Sequence, residues 1–191
     1  IEALHDPRGY PHPADCVDLV ETHASWLLLA GDFAYKIKKP ITLPFLDYGT
    51  LARRETCCRD ELLLNRRFAP DLYLDVVPIG GTPGQPRFGE LPAIESAVRM
   101  RRFDEQGRLD RVAARGELTP THLAQLAATL CAFWEAAAVA APATRFGEPE
   151  QILAAARENF AELRQLMPPA DQPQIEQLAR WTEDEFALRA A

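Results

Sequence analysis

Apolar and polar positions alternate weakly from Cys16 to Glu21, and a short apolar run follows from Ala24 to Leu29, with Glu21-Thr22-His23 between them. Ala30-Gly31-Asp32 marks a tight turn, and Phe33 to Lys38 alternates again. Period-two patterning broken by turn residues predicts three successive antiparallel strands. Residues 1–15, with Pro7, Pro11 and Pro13, read as an irregular lead-in. Pro40 ends the third strand, and Pro44 keeps the chain irregular to Gly49. Thr50 is a suitable N-cap for a helix reaching about Phe68, with Pro70 beyond its end. Leu72 to Ile79 reads as a strand, Gly80 to Pro86 as a loop, Arg87 to Gly89 as a short piece, and Ala93 to Phe103 as another strand. Residues 16–103 thus predict an α+β unit, a five-stranded antiparallel sheet with one helix.

From residue 104 the period becomes helical. Leu109 to Arg115 is short, and Thr119-Pro120 starts a helix whose stripe is Leu123, Leu126, Ala127, Leu130, Phe133, Trp134 and Ala137. Pro149 opens another helix, with Ile152, Leu153, Ala156, Phe160 and Leu163 inward. Pro168-Pro169 breaks it, and Pro173 opens a last one through Ile175, Leu178, Trp181 and Phe186. The stripes read as core. The expected division is lead-in 1–15, mixed unit 16–103 and helical segment 104–191.

The third strand carries the chemistry. All three lysines of the chain, Lys36, Lys38 and Lys39, lie there, against 18 arginines elsewhere. Lysine is a compact charge on a flexible stem, suited to a phosphate or a buried carboxylate. Alternation puts Phe33, Tyr35 and Ile37 on one face and Ala34, Lys36 and Lys38 on the other. An exposed edge strand would show the same pattern, since lysine protects edges. On the following helix, Cys57, Glu61, Leu64 and Phe68 share a face, and Glu61 is the carboxylate among apolar side chains. A buried, unpaired carboxylate is costly, so Glu61 calls for a cation, Lys38 or else Lys36. The alternative leaves Glu61 in water beside Arg53 or Arg54. The Thr22 to Ser25 turn is either a cover over a ligand or a plain polar turn.

Composition narrows the classes. The chain has 47% hydrophobic and 26% charged residues and a net charge of -7, with a pI near 5.2. An acidic balance argues against a nucleic-acid partner but leaves room for a small anion in a local basic pocket. No apolar run has the length of a membrane span, and no signal peptide is evident. Cys16, Cys57, Cys58 and Cys131 form no C-x-x-C pair, and read as reduced thiols of a cytoplasmic protein, mostly core filler. His5 and His12 lack carboxylate or cysteine partners at ligand spacing, so no metal site is expected from them. No Rossmann glycine pattern and no G-x-x-x-x-G-K-[ST] loop occurs.

A strand lysine, a following helix glutamate and a β-rich lobe ahead of helices look like a kinase-like N-lobe. The segments Val20 to Trp26, Gly31 to Pro40, Glu61 to Asn65, Ala69 to Leu74, Val76 to Ile79 and Ala97 to Phe103 carry the likeness further. So do Arg115 to Thr119 and Arg157 to Phe160. Together they resemble the aminoglycoside phosphotransferase-like domain of bacterial bifunctional aminoglycoside phosphotransferase/ATP-binding proteins. The resemblance implies an ATP-dependent small-molecule phosphotransferase, with ATP and Mg2+ as cofactors and a hydroxyl-bearing small molecule as acceptor. It implies that 104–191 begins the helical C-lobe, and that a P-loop ATPase domain can follow in the full-length protein. Lys38 is then the first choice for the phosphate grip and Lys36 the second, with Glu61 orienting the lysine. Met100 and Arg101, in the connection to Phe103, would meet the adenine, and Thr22, His23 and Ser25 complete the nucleotide site. The family's His-Gly-Asp loop and acidic metal ligand are absent, Trp134 stands where a histidine is expected, and the likeness implies that the chain stops before the loop. No residue here is therefore assigned as catalytic. Three classes follow: part of a kinase inactive alone, a nucleotide-binding or pseudokinase-like regulatory module, or an interaction domain without nucleotide.

Overall fold

The computed structural model describes residues 1–43, 45–141, 144 and 147–189; Pro44, read above as part of an irregular stretch, lies outside them. By its contacts the chain divides into two compact units, Ile1–Ala136 and Ala137–Ala191. The change of patterning at residue 104 is thus not the boundary between units, and the lead-in belongs to the first of them.

The first unit is built on a six-stranded antiparallel sheet. Its strands are β1 (Val17–Glu21), β2 (Ser25–Ala30), β3 (Phe33–Lys38), β6 (Tyr73–Thr82), β7 (Gln85–Phe88) and β8 (Glu95–Arg101), in the order β1-β2-β3-β8-β6-β7. The expected count of five missed β7, because Thr82 to Gln85 closes a hairpin inside the segment read as a loop. Gly81 supports it with φ 79, beyond what other residues adopt easily. A second small hairpin, β4 (Thr42–Leu43) with β5 (Leu46–Asp47), lies where an irregular segment was expected. Between β2 and β3, Gly31 has φ 54, and a Cβ there would lie 2.7 Å from the Pro13 carbonyl oxygen. The lysine strand is no edge: β3 pairs with β2 on one side and β8 on the other.

Alternation gives the sheet two different faces. One gathers Val17, Leu28, Ala30, Tyr35, Ile37, Val77, Ile79 and Ala97, and is closed by Leu4, Tyr10 and Phe88. The lead-in is thus part of the core. Asp6 caps a short turn at Arg8, the Tyr10 hydroxyl donates to the Leu4 carbonyl at 2.8 Å, and the Tyr10 ring stacks on Phe88 at 4.6 Å. His12 uses its nitrogens within this layer, Nδ1 at 3.0 Å from the Pro13 carbonyl and Nε2 at 2.9 Å from the Tyr35 hydroxyl.

The opposite face holds Leu27, Leu29, Ala34, Met100, Val98 and the two lysines, and receives helix α1 (Leu51–Asn65). Thr50 caps α1 as expected, its side chain accepting from the Arg53 amide. Of the stripe read from sequence, Glu61 turns fully to the sheet and the rest do not. Arg54 and Cys58 are buried, whereas Leu64 and Phe68 are largely exposed and Cys57 is half-buried. The inner face runs through 54, 58 and 61, about 80° round the helix from one through 57 and 64.

Helices α2 (Leu109–Ala114) and α3 (Pro120–Ala136) complete the first unit. The apolar stripe of α3 was expected to be core, yet no residue of α3 is buried, and Trp134 is 69% exposed. Among the described residues Phe133 gains a partner ring, stacking on Phe68 at 4.1 Å. Periodicity decides which side chains share a face; it does not supply what covers them. In the second unit, α4 (Pro149–Leu166) and α5 (Gln172–Arg189) pack through Leu153 and Ile175 and are clamped by Arg157–Glu183 and Arg164–Glu176 ion pairs, both 2.6 Å. Ile152, Leu178 and Trp181, also expected inward, are exposed.

Candidate functional site

Three charged side chains meet between β3 and α1. Glu61 Oε1 accepts from Lys36 Nζ at 2.8 Å, and Oε2 from Lys38 Nζ at 2.7 Å. The alternation of β3 sends both ammonium groups to the face that α1 covers, and the helical turn from Cys58 carries Glu61 over them. The expected pairing with one lysine is thus a pairing with both. The alternative partners are taken elsewhere: Arg54 binds Glu95 at 2.8 Å, and Arg53 pairs with Asp47.

The lysines are not equivalent. The Lys38 side chain is 3% exposed, that of Lys36 32%, and that of Glu61 13%. Lys38 also donates to the Tyr48 hydroxyl at 3.3 Å and lies 4.8 Å from that ring's centre. Arg54 holds the Tyr48 carbonyl at 2.9 Å. Burial pushes the Glu61 carboxyl up, but hydrogen bonds from Lys36 and Lys38 outweigh it, and the net direction is down. For Lys38 burial pushes down, and Glu61 more than reverses it. Both groups are charged at neutral pH, and the three together carry one net positive charge.

Along the same sheet face opens a cleft of about 600 Å³. Leu27, Leu29, Ala34 and Met100 give it apolar walls, and Arg101 to Glu105 form its far side with Asp32. The Arg102 amide donates to the Asp32 carbonyl at 2.8 Å, tying that segment to the β2–β3 turn. Ala34 precedes Lys36 by two residues on one face of β3, about 7 Å along the strand. Leu27 stands opposite Lys36 in the ladder. Lys36 and Lys38 share this sheet face with Ala34 and stand next to the cleft, though neither lines it.

Met100 and Arg101 line this cleft. Ser25 is buried at the head of β2 and pairs in register with Lys38. Thr22 staples its turn, its hydroxyl oxygen accepting from the Ser25 amide at 3.0 Å, and His23 is exposed at the tip. Lys39 turns away to Glu21 at 2.5 Å and sits over Trp26. Sequence reasoning missed Tyr48 and Glu95, which carry no motif, took Arg54 only as an alternative partner of Glu61, and missed the cleft residues Val20, Leu29 and Asp32. The alternation that puts Ala34 on the face of Lys36 and Lys38 was the one signal for Ala34.

Among the described residues no group of three His, Cys, Asp or Glu side chains is placed to hold a metal ion, so no Mg2+ ligand is assigned. No helix among them is long and apolar enough to cross a membrane. The cysteines are mostly not core: Cys58 alone is buried, Cys57 is half-buried, and Cys16 and Cys131 are exposed, all as free thiols. Burial pushes the Cys58 thiol up to about 11. We expect a thiol reagent to modify Cys16 and Cys131 promptly and Cys58 only on unfolding, with four thiols in total. Mass spectrometry during timed alkylation checks this, and prompt labelling of Cys58 would contradict the packing of α1.

A stretch of 148 residues is 32% identical to uncharacterized protein Rv2004c of Mycobacterium tuberculosis and uncharacterized protein Mb2027c of Mycobacterium bovis. It covers 78% of this chain and 28% of each relative, so the chain spans under a third of their length. No family model and no solved structure matches the chain.

Proposed function

We propose that the first unit is the nucleotide-binding lobe of an ATP-dependent small-molecule phosphotransferase of the kinase-like kind. The observation that carries this reading is the Lys36–Glu61–Lys38 cluster on the same sheet face as a cleft floored by Leu27, Leu29, Ala34 and Met100. The cleft's volume suits a nucleoside, with apolar side chains of β2, β3 and β8 on one side and charged ones on the other. Leu27, Leu29, Ala34 and Met100 would hold the adenine against the segment from Arg101, and the phosphates would lie toward the lysine cluster. ATP would supply the phosphoryl group. The residues of this chain bind and orient it; the proton-accepting and metal-binding groups such a transfer needs are proposed to lie in the rest of the full-length protein. That protein would act in the cytoplasm on a hydroxyl-bearing acceptor, with a P-loop ATPase domain as a possible neighbour in the same chain.

Titration of this chain with ATP tests the reading. We expect saturable binding that shifts the Met100 methyl resonance and is lost in Ala34→Leu, which adds bulk to the cleft floor, while circular dichroism stays that of the folded protein. Absence of binding at millimolar ATP would overturn it. The second reading, an interaction module, is favoured by the exposed Leu123, Leu126 and Trp134 of α3. Larger than usual apolar patches mark association surfaces. Concentration-dependent self-association or partner capture without ATP binding would select it.

A further inference from the structure

We infer that Lys38 is the permanent counter-ion of Glu61, and that Lys36 is the exchangeable one, released from Glu61 to the phosphates of an incoming nucleotide. This rests on the nucleotide reading above and reverses the order read from the sequence, which put Lys38 first and Lys36 second for the phosphate grip.

The geometry separates the lysines. Lys38 is enclosed, with Glu61 Oε2, the Tyr48 hydroxyl and the Tyr48 ring around its ammonium group. Tyr48 is in turn held by Arg54, itself buried against Glu95. For Lys38 to reach a ligand it would have to break this set and leave its enclosed position, with only the more exposed Lys36 left on Glu61. Lys36 is a third exposed, and Glu61 Oε1 is its hydrogen-bond partner. It stands beside Leu27 and two residues beyond Ala34, both in the cleft wall.

The charge balance then favours exchange. With a single lysine on the glutamate, moving it to a phosphate would leave a carboxylate unpaired next to a polyanion. Here each carboxylate oxygen has its own ammonium group. When Lys36 moves away, Lys38 still neutralises Glu61, and the ligand meets a whole positive charge. Lys38 is thus a positioning residue: it acts on the phosphate through Glu61, by keeping that carboxylate in place and satisfied.

The presence of only three lysines makes the test direct. Acetylation of the native chain, read residue by residue by mass spectrometry, is expected to modify Lys36 well before Lys38. ATP should slow labelling at Lys36 and leave Lys38 unchanged. Lys36→Met should weaken ATP about tenfold or more and leave adenosine binding intact. Lys38→Met should also weaken ATP, because Glu61 then competes for Lys36, and Lys38→Met with Glu61→Gln should restore much of the loss. A purely structural role for Lys38 would show no such restoration. Lys38 labelling as fast as Lys36, ATP shielding Lys38 rather than Lys36, or no recovery in the double variant would each overturn the inference while leaving ATP binding itself in place. If the unmodified chain binds no ATP, the nucleotide reading fails and the inference with it.

Discussion

Replacing Glu61 by alanine is expected to lower the unfolding free energy by about 3 kcal/mol or more, since removing one partner leaves a buried charge uncompensated. Most of the cost should fall at Lys38, which is almost wholly enclosed, and less at Lys36, which can turn to water. Urea unfolding at neutral pH measures it. Adding Lys38→Met to Glu61→Ala should recover a large part, because the stranded ammonium group is removed with its cavity filled. A loss below about 1 kcal/mol would mean that the pair behaves as a surface ion pair. The pH dependence has a definite sign. The folded Glu61 carboxyl lies below its usual 4.5, so its contribution is present above that value and disappears as pH falls through the folded one. The Lys38 ammonium lies above its usual 10.5, so its contribution is complete below that value and disappears as pH rises through the folded one. The acid limb of the stability profile should therefore be shallower in Glu61→Gln than in the unmodified chain.

Tyr10→Ala is expected to cost about 3 kcal/mol, the range for removing a buried aromatic side chain. The ring fills the space between Phe88 and Tyr35, with centroids at 4.6 and 5.2 Å. Its hydroxyl closes the lead-in onto itself at Leu4. Tyr10→Phe keeps the ring and loses only that hydrogen bond, so it should cost about 1 kcal/mol. The two variants, unfolded in urea side by side, separate packing from hydrogen bonding. Equal and small effects would show that residues 1–15 are not part of the core. A chain starting at Asp15 should expose the apolar sheet face and bind a hydrophobic dye.

Both predictions concern side chains that the sequence treats unequally. Glu61 was legible, because a carboxylate among apolar helical positions demands a cation and the lysines are confined to one strand. Tyr10 was not, because three prolines in residues 1–15 erase any period. The lead-in has no regular structure of its own, and its apolar residues acquire meaning only against the sheet they cover. The cleft was half legible. Met100 and Arg101, read from the resemblance, line it, whereas Val20 is brought to it by its pairing with Leu27 and Asp32 by the turn between β2 and β3.

What the sequence determines alone is local: the strands of 16–38, the cap at Thr50, the α+β order, and the face that Ala34, Lys36 and Lys38 share. These follow from backbone periods of two and 3.6 and from turn residues, which act over a few positions. The tertiary structure decided the rest. It placed Arg54, Cys58 and Glu61, rather than Cys57, Leu64 and Phe68, toward the sheet, gave Glu61 two lysines in place of one, and enclosed Lys38 while leaving Lys36 open. It also left the stripe of α3 uncovered. These outcomes depend on which surfaces meet, and on the balance between burying a charge and pairing it, which no local period encodes.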